Sequence, residues 1–373
     1  MRALALNCGS SSVKFALVDT KSGERLLAGV EEIGAGAHAA ALDAVVKRLN
    51  GEAEIARGVD GIGHRVVHGG ETFRESVLID ARVVASIEAV SPMAPLHNPV
   101  NRQGILRLGE AFPGKPQVAV FDTAFHQTLP PHAYLYALPR ALHREHGVRR
   151  YGFHGTSHRY LAQEAVRRFD LPEETSRVVT AHLGNGCSTA AVLGGRSIET
   201  SMGFSPLEGL VMGTRSGDID PGLHAYLAQH LSLDIAGVTE MLNRESGLLG
   251  LSGLSGDMRE LETAEAEGNA DAALALEIFC YRLARQVAGL QVPLGGLDAL
   301  VFGGGIGEHS PRVRARVLKW LAPLGFVLDE QANARHGEDE NGRIGQGGPP
   351  FAGVVPTDEE FLIALDTARV LGD

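Results

Sequence analysis

Cysteine is almost missing from this chain: Cys8, Cys187 and Cys280 are its three thiols in 373 residues. Three scattered thiols build neither a disulfide framework nor a cysteine-rich zinc site. Positive charge is also scarce. Lys and Arg number 34 against 45 Asp and Glu, a formal charge of −11, which argues against nucleic acid or an anionic membrane as the main partner. An anionic small molecule stays open, because one pocket can be locally basic. No apolar run reaches membrane-spanning length, and the opening residues lack the pattern of a signal peptide. A cytoplasmic protein is expected. The composition, 44% hydrophobic and 21% charged, is that of an ordinary globular protein. Its length exceeds what one core sustains, so two domains are expected.

Glycine, by contrast, is abundant at 47 residues, and its placement is informative. An apolar run at Leu4 to Leu6 leads into Asn7-Cys8-Gly9-Ser10-Ser11-Ser12, then a second run from Val13 to Val18 that contains Lys14. Two strands joined by small residues with many donors make an anion cradle, and Lys14 brings a positive charge close to it. An ordinary hairpin turn fits the same residues. The plan recurs at Val178 to Leu183, Gly184-Asn185-Gly186-Cys187-Ser188, and Thr189 to Leu193. A third cluster, Gly303 to Gly307, follows an apolar run at Leu297 to Phe302 and precedes Ser310-Pro311, an N-cap and first helical position. Three such loops suggest one nucleotide held from several sides. Three independent turns are the alternative.

Gly61 to Gly70 reads as a strand emptying into a glycine turn, and Val118 to Phe121 as a strand ending at Asp122. Arg65, Asp122 and Asn185 thus stand near strand ends, where α/β sheets place ligand crevices. Apolar residues at Leu276, Phe279, Cys280, Leu283, Val287 and Leu290 have helical spacing, and 333–349 reads as an exposed, turn-rich stretch. Two nucleotide signatures fail. Gly109 to Lys115 has Walker-type spacing, but Pro116 stands where the metal-binding hydroxyl belongs and a strand follows. Glu308 occupies the third glycine position of a dinucleotide fingerprint counted from Gly303. His64/His68 and His154/His158 are spaced by four, but lie in a strand-like and a glycine-containing context without a completing Glu, so no transition-metal site is expected. Arg65, in an apolar strand, and Arg215, in the turn-rich Met212 to Pro221, suit a carboxylate or phosphoryl group. Asn7, Asp122 and Glu359 could offer oxygens to Mg²⁺.

With these residues in view, the chain resembles the acetokinase (acetate kinase) family of the actin-like sugar-kinase superfamily. The matching motifs run nearly end to end: Asn7 to Lys14, His64 to Gly70, Pro95 to Pro99, Phe121 to His126, Tyr151 to His158, His182 to Gly186, Met212 to Pro221 and Gly305 to Glu308. The resemblance implies an α/β fold of two duplicated actin-like (ribonuclease H-like) domains around a nucleotide cleft. One would comprise 1–124 with 362–373, the other 125–361 with the dimer contacts of a homodimer. It implies transfer of the ATP γ-phosphoryl group to acetate, with Mg²⁺ as cofactor and Mn²⁺ as a substitute. Among site residues it implies Asp122, His154 and Arg215 as catalytic, and Arg65, Val67, Leu96, Phe153 and Pro206 as substrate-binding. For ATP it implies Lys14, Ser10, Ser12, His182, Leu183, Gly184, Asn185, Gly186, Asp257, Met258, Arg259, Gly305, Ile306, Gly307, Glu308 and His309, and for the metal, Asn7 and Glu359. The partners implied are a small carboxylate and a nucleotide, with no nucleic acid and no membrane. Three residues depart from the family pattern. His309 and Asp358 stand where Asn is usual, and Leu365 where Arg is usual; Asp358 is expected to add negative charge near the metal. A propionate-preferring relative, a hydroxyl-directed sugar kinase and an ATP-binding protein without catalysis are the competing readings.

Overall fold

The computed structural model describes residues 1–9, 12–33, 38–51, 58–95 and 97–373. Two sheets organise the chain. The first contains β1 (Arg2–Cys8), β2 (Ser12–Asp19), β3 (Arg25–Glu32), β4 (Gly61–Val66), β5 (Val77–Leu78) and β6 (Gln117–Phe121), in the order β3-β2-β1-β4-β6-β5. The second contains β7 (Arg177–Leu183), β8 (Cys187–Leu193), β9 (Arg196–Thr200), β10 (Ala299–Gly303) and β11 (Phe351–Val354), in the order β11-β10-β7-β8-β9. Each sheet opens with an antiparallel three-strand meander whose first strand then pairs in parallel with a later one, β1 with β4 and β7 with β10. A further parallel strand follows in both, β6 and β11. The two halves therefore share one plan.

The chain divides into two compact units. One comprises 1–127, 153–160 and 358–373; the other comprises 128–152 and 161–357. In the first unit, β1 alternates bulk. Leu4, Leu6 and Cys8 pack into a core with Leu42, Val45 and Leu108, whereas Ala3 and Ala5 on the opposite face pack with Ile363 and Ala364. The small residues leave room for the C-terminal helix, Glu359–Leu371. Gly63 on β4 does the same, since a Cβ there would fall 2.1 Å from Thr367 Oγ1 and 2.6 Å from Ile363 Cγ2.

Several local readings hold. The helix of apolar period runs from Ala270 to Leu294, and Ser310 Oγ accepts from Val313 N at the start of the helix Pro311–Leu321. Two differ. The third glycine cluster is not a loop: residues Gly304–His309 form a helical turn directly after β10. The stretch 333–349 carries buried residues, Asn333 and Ile344, because Asn333 holds a buried arginine and Ile344 pairs its backbone with Ala352. No helix among the described residues is long and apolar enough to cross a membrane.

Candidate functional site

The first unit's polar cluster follows from strand periodicity. Ala3, Ala5 and Asn7 share a face of β1, and Gly61, Gly63 and Arg65 share the corresponding face of β4, because side chains alternate along a strand. Leu6 pairs with His64, which sets Asn7 beside Arg65. On β6, Val118 and Val120 face the C-terminal helix, and Asp122 continues their alternation past the strand end. That helix begins at Glu359. Three strand ends and one helix start thus deliver Asn7, Arg65, Asp122, Glu359 and Glu360 to one place.

Arg65 is the centre. Its Nε lies 2.9 and 3.1 Å from the two carboxylate oxygens of Asp122, and its Nη2 lies 2.6 Å from Oδ2. Its Nη1 donates to Asn7 Oδ1 at 3.0 Å. Asn7 Nδ2 in turn donates to Glu359 Oε2 at 3.0 Å and Glu360 Oε1 at 2.9 Å. Burial works against the charge on Arg65, but Asp122, Glu359 and Glu360 outweigh it and hold the guanidinium protonated. Burial pushes the Asp122 carboxyl up, while Arg65 and the backbone N–H of His154 oppose that shift.

His154 itself adopts φ +55°, a left-handed conformation that costs a non-glycine residue on the order of 1 kcal/mol and is concentrated at functional sites. Next to it, Gly155 N donates to Asp122 O at 3.0 Å, and a Cβ on Gly155 would fall 2.1 Å from that oxygen. The start of the helix Gly155–Phe169 therefore grips Asp122 through both main chain and side chain.

Asp122, Glu359 and Glu360 act electrostatically on the Arg65 guanidinium, and hard oxygen donors of this kind are what Mg²⁺ takes, although among the described residues no group of three or more His, Cys, Asp or Glu side chains is arranged to hold a metal ion. Asp358, expected to add negative charge near the metal, caps the helix by accepting from Phe361 N at 2.8 Å and pairs with Arg25 at 2.5 Å. Its charge is thus already compensated.

Val67 and Phe153 are buried, and the His68 ring lies edge-on to Phe153 at 5.6 Å. Two buried asparagines hold this segment: Asn101 Oδ1 accepts from Val67 N at 3.0 Å, and Asn98 Oδ1 from His68 N at 3.0 Å. Burial pushes His64 and His68 down to about 4 from 6.5. A base depressed in the folded state is protonated first in the unfolded chain, so stability falls as pH drops from 6.5 and the loss is complete below about 4. At full excursion this amounts to roughly 3 kcal/mol per histidine. Asn at position 68 keeps an acceptor for Gly70 N, which donates to His68 Nδ1 at 3.0 Å. His68→Asn should therefore lose about half of the acid-induced destabilisation. Urea midpoints at pH 7 and pH 4.5 check this, and an unchanged pH slope would contradict it.

In the second unit, β7 and β10 pair in parallel, with Gly303 opposite His182. This puts the turn Gly304–His309 beside the loop Gly184–Gly186, which is closed by Gly184 N donating to Gly186 O at 3.0 Å. Gly213 N donates to Asn185 O at 3.1 Å, so the loop carrying Arg215 abuts the same place. Leu183 and Gly307 are buried, Ile306 is half-buried, and Gly305 and His309 are exposed. Glu308 Oε1 accepts from Gly304 N at 3.0 Å, Thr357 N at 2.9 Å and Thr357 Oγ1 at 2.7 Å, which ties the turn down. Asp257 caps the helix Met258–Ala266, with Met258 buried and Arg259 exposed beside it. Arg215 Nη1 donates to Pro206 O at 3.0 Å.

Of the remaining expected residues, Ser12 is half-buried at the start of β2, and Lys14 is exposed opposite Asn7. Ser10 and Leu96 lie outside the described residues. Sequence reasoning did not single out Glu360, Asn101 or Arg314, whose hydrogen bonds hold Asn7, Val67 and the glycine turn. Fully buried Arg314 donates to the carbonyls of Gly307 at 2.8 Å and Glu308 at 2.9 Å and to Asn333 Oδ1 at 2.8 Å, holding the end of the glycine turn. Burial pushes its guanidinium down to about 10.

Known proteins are similar to this chain over nearly its whole length. The model of the acetokinase family matches residues 30–365. The acetate kinase of Deinococcus deserti is 53% identical over all of this chain and 98% of its own. Among solved structures, a propionate kinase from Francisella tularensis is 42% identical with a TM-score of 0.91, and the acetate kinase of Porphyromonas gingivalis is 41% identical with a TM-score of 0.89. Each of these structures is covered to 99%, as is this chain.

Proposed function

The chain belongs to the acetokinase family, and on that premise we propose that it catalyses reversible transfer of the ATP γ-phosphoryl group to acetate, giving acetyl phosphate and ADP. The supporting observation is the set of donors on Arg65. A guanidinium carries five N–H groups. Asp122 and Asn7 engage three of them among the described residues, leaving two for a substrate carboxylate. Acetate is already ionised at neutral pH and needs no base. Its oxygen attacks the γ-phosphorus in line, the bond to the bridging oxygen breaks, and ADP leaves.

Charge develops on the transferring phosphoryl oxygens, and positioned cations stabilise it. We assign Arg215 and His154 to that charge and Arg65 to the acetate carboxylate. Glu359 and Glu360, joined by Asn7, would hold Mg²⁺, which supplies charge neutralisation on the phosphates when bound. The segments 182–186, 257–259 and 305–309 take the nucleotide. A cytoplasmic homodimer completes this reading.

Purified protein with ATP, Mg²⁺, acetate and hydroxylamine should accumulate acetyl hydroxamate. Folded protein giving no product above the blank would end the proposal. A sugar kinase would instead consume ATP with a sugar or glycerol.

The propionate kinase likeness makes acyl length a fair question. Val67 and Phe153 are buried and apolar, and as the lining for the substrate methyl they would discriminate one methylene by only about 1–3 kcal/mol, roughly 10–200-fold. Acetate should be preferred, with propionate a real but poorer substrate and butyrate nearly inert. Val67→Ala should narrow or reverse that preference, chiefly by raising kcat/KM for propionate. Equal wild-type turnover of acetate and propionate would show that these residues do not line the pocket.

A further inference from the structure

A polar network in the second unit, built from Tyr136, Arg150 and Glu208, flanks the segment that bonds Arg215. Arg150 Nη1 donates to three successive carbonyls at the end of β9 and beyond: Thr200 at 3.1 Å, Ser201 at 3.1 Å and Met202 at 3.0 Å. Its Nη2 donates to Glu208 Oε1 at 2.6 Å. The other oxygen of Glu208 accepts from the Tyr136 hydroxyl, and that hydroxyl accepts from Phe204 N at 2.8 Å. Gly203 lies between them, with so little room that a Cβ would fall 1.6 Å from Glu208 Oε2 and 2.2 Å from Tyr136 Oη. The far side of the loop is closed by Gly209 N donating to Asp218 Oδ1 at 2.8 Å and Asp218 N donating to Gly209 O at 2.9 Å.

Pro206 stands at the middle of this clamped segment, and its carbonyl accepts from Arg215 Nη1 at 3.0 Å. A guanidinium bonded to a carboxylate and three carbonyls uses charge-assisted bonds, which are about twice as strong as neutral ones. The network is therefore stiff where the Pro206 carbonyl needs a fixed position.

We propose that Tyr136, Arg150 and Glu208 are positioning residues for the reaction: they clamp the 201–208 segment so that the Pro206 carbonyl aims the guanidinium of Arg215. This rests on the phosphoryl-transfer reading above. None of the three need touch substrate. Their effect passes through Arg215, because misplacing a catalytic group by about 1 Å can cost on the order of 100-fold in rate.

The test uses the full chain with Tyr136→Phe and, separately, Glu208→Gln. Tyr136→Phe removes two bonds of the clamp, the one to Glu208 and the one from Phe204 N, and Glu208→Gln removes the carboxylate charge that Arg150 and Tyr136 share, each with little change in volume. Both variants should lose about tenfold in kcat, with KM for ATP within about twofold of wild type. In an Arg215→Lys background the same substitutions should cost nothing further, because interacting residues are non-additive and distant ones add. Hydrogen exchange should accelerate across 203–218 and stay unchanged in β7 and β8. Unchanged kcat in both variants, or the same fold-loss in the Arg215→Lys background as in the wild type, would overturn the proposal. Wild-type protein lacking acetate-dependent turnover would sink the functional reading instead, and the exchange pattern would then decide whether the clamp exists.

Discussion

Replacing Arg65 by lysine is expected to lower kcat/KM for acetate by about 10²–10³-fold, the usual consequence of removing one positioned donor from developing charge. An ammonium is a point charge. It cannot span both oxygens of Asp122, reach Asn7, and still present a planar pair of donors to a carboxylate. Because the charge is retained, the folded state should survive, and a urea midpoint near that of wild type would show it. Alanine behaves differently. It strips the only guanidinium named in this cluster from Asp122, Glu359 and Glu360, and an uncompensated buried charge costs about 3–5 kcal/mol. Arg65→Ala should therefore lose both activity and stability. Near-wild-type turnover by Arg65→Lys would remove Arg65 from the acetate site.

Much of this arrangement is legible in the sequence because the chemistry coincides with strong local signals. Arg65 is conspicuous as a charge inside an apolar strand, and β4 does run over Gly61–Val66. The 3.6-residue period from Leu276 to Leu290 and the Ser310-Pro311 start are local signals too, and local physics decides them. Glu360 is a different case. Asp358, Glu359 and Glu360 are consecutive acids, and their separate fates depend on where the helix begins. Asp358 becomes the cap, whereas Glu359 and Glu360 reach Asn7. Asn101 and Tyr136 act through partners 34 and 72 residues away, which no periodicity encodes. The third glycine cluster misleads for another reason. Glycine there looks like loop chemistry, but the pairing of Gly303 with His182 and the Glu308 ties to Gly304 and Thr357 impose a helical turn. Tertiary contacts override the weak propensity of the residues themselves.

Asp122→Asn should cost the enzyme about 100-fold or more in kcat while leaving the shape of its pH profile intact. A carboxylate acceptor with a pKa near that of a Glu side chain gives a general base nothing to remove. What Asp122 visibly does is hold Arg65 by a fork at 2.6–3.1 Å and accept from the backbone N–H of His154. An amide at this position keeps one acceptor but turns an N–H₂ toward the guanidinium, so the fork opens and Arg65 is released from its aim. Mechanistic roles separate cleanly in the acid limb of kcat/KM. Burial raises the Asp122 carboxyl, so a catalytic proton carried by it would appear as an elevated acidic ionisation in the wild type and vanish in Asp122→Asn. An aiming role predicts a vertical drop across the whole profile with every limb in place. Loss of an ionisation from the variant's profile would assign Asp122 to proton transfer after all.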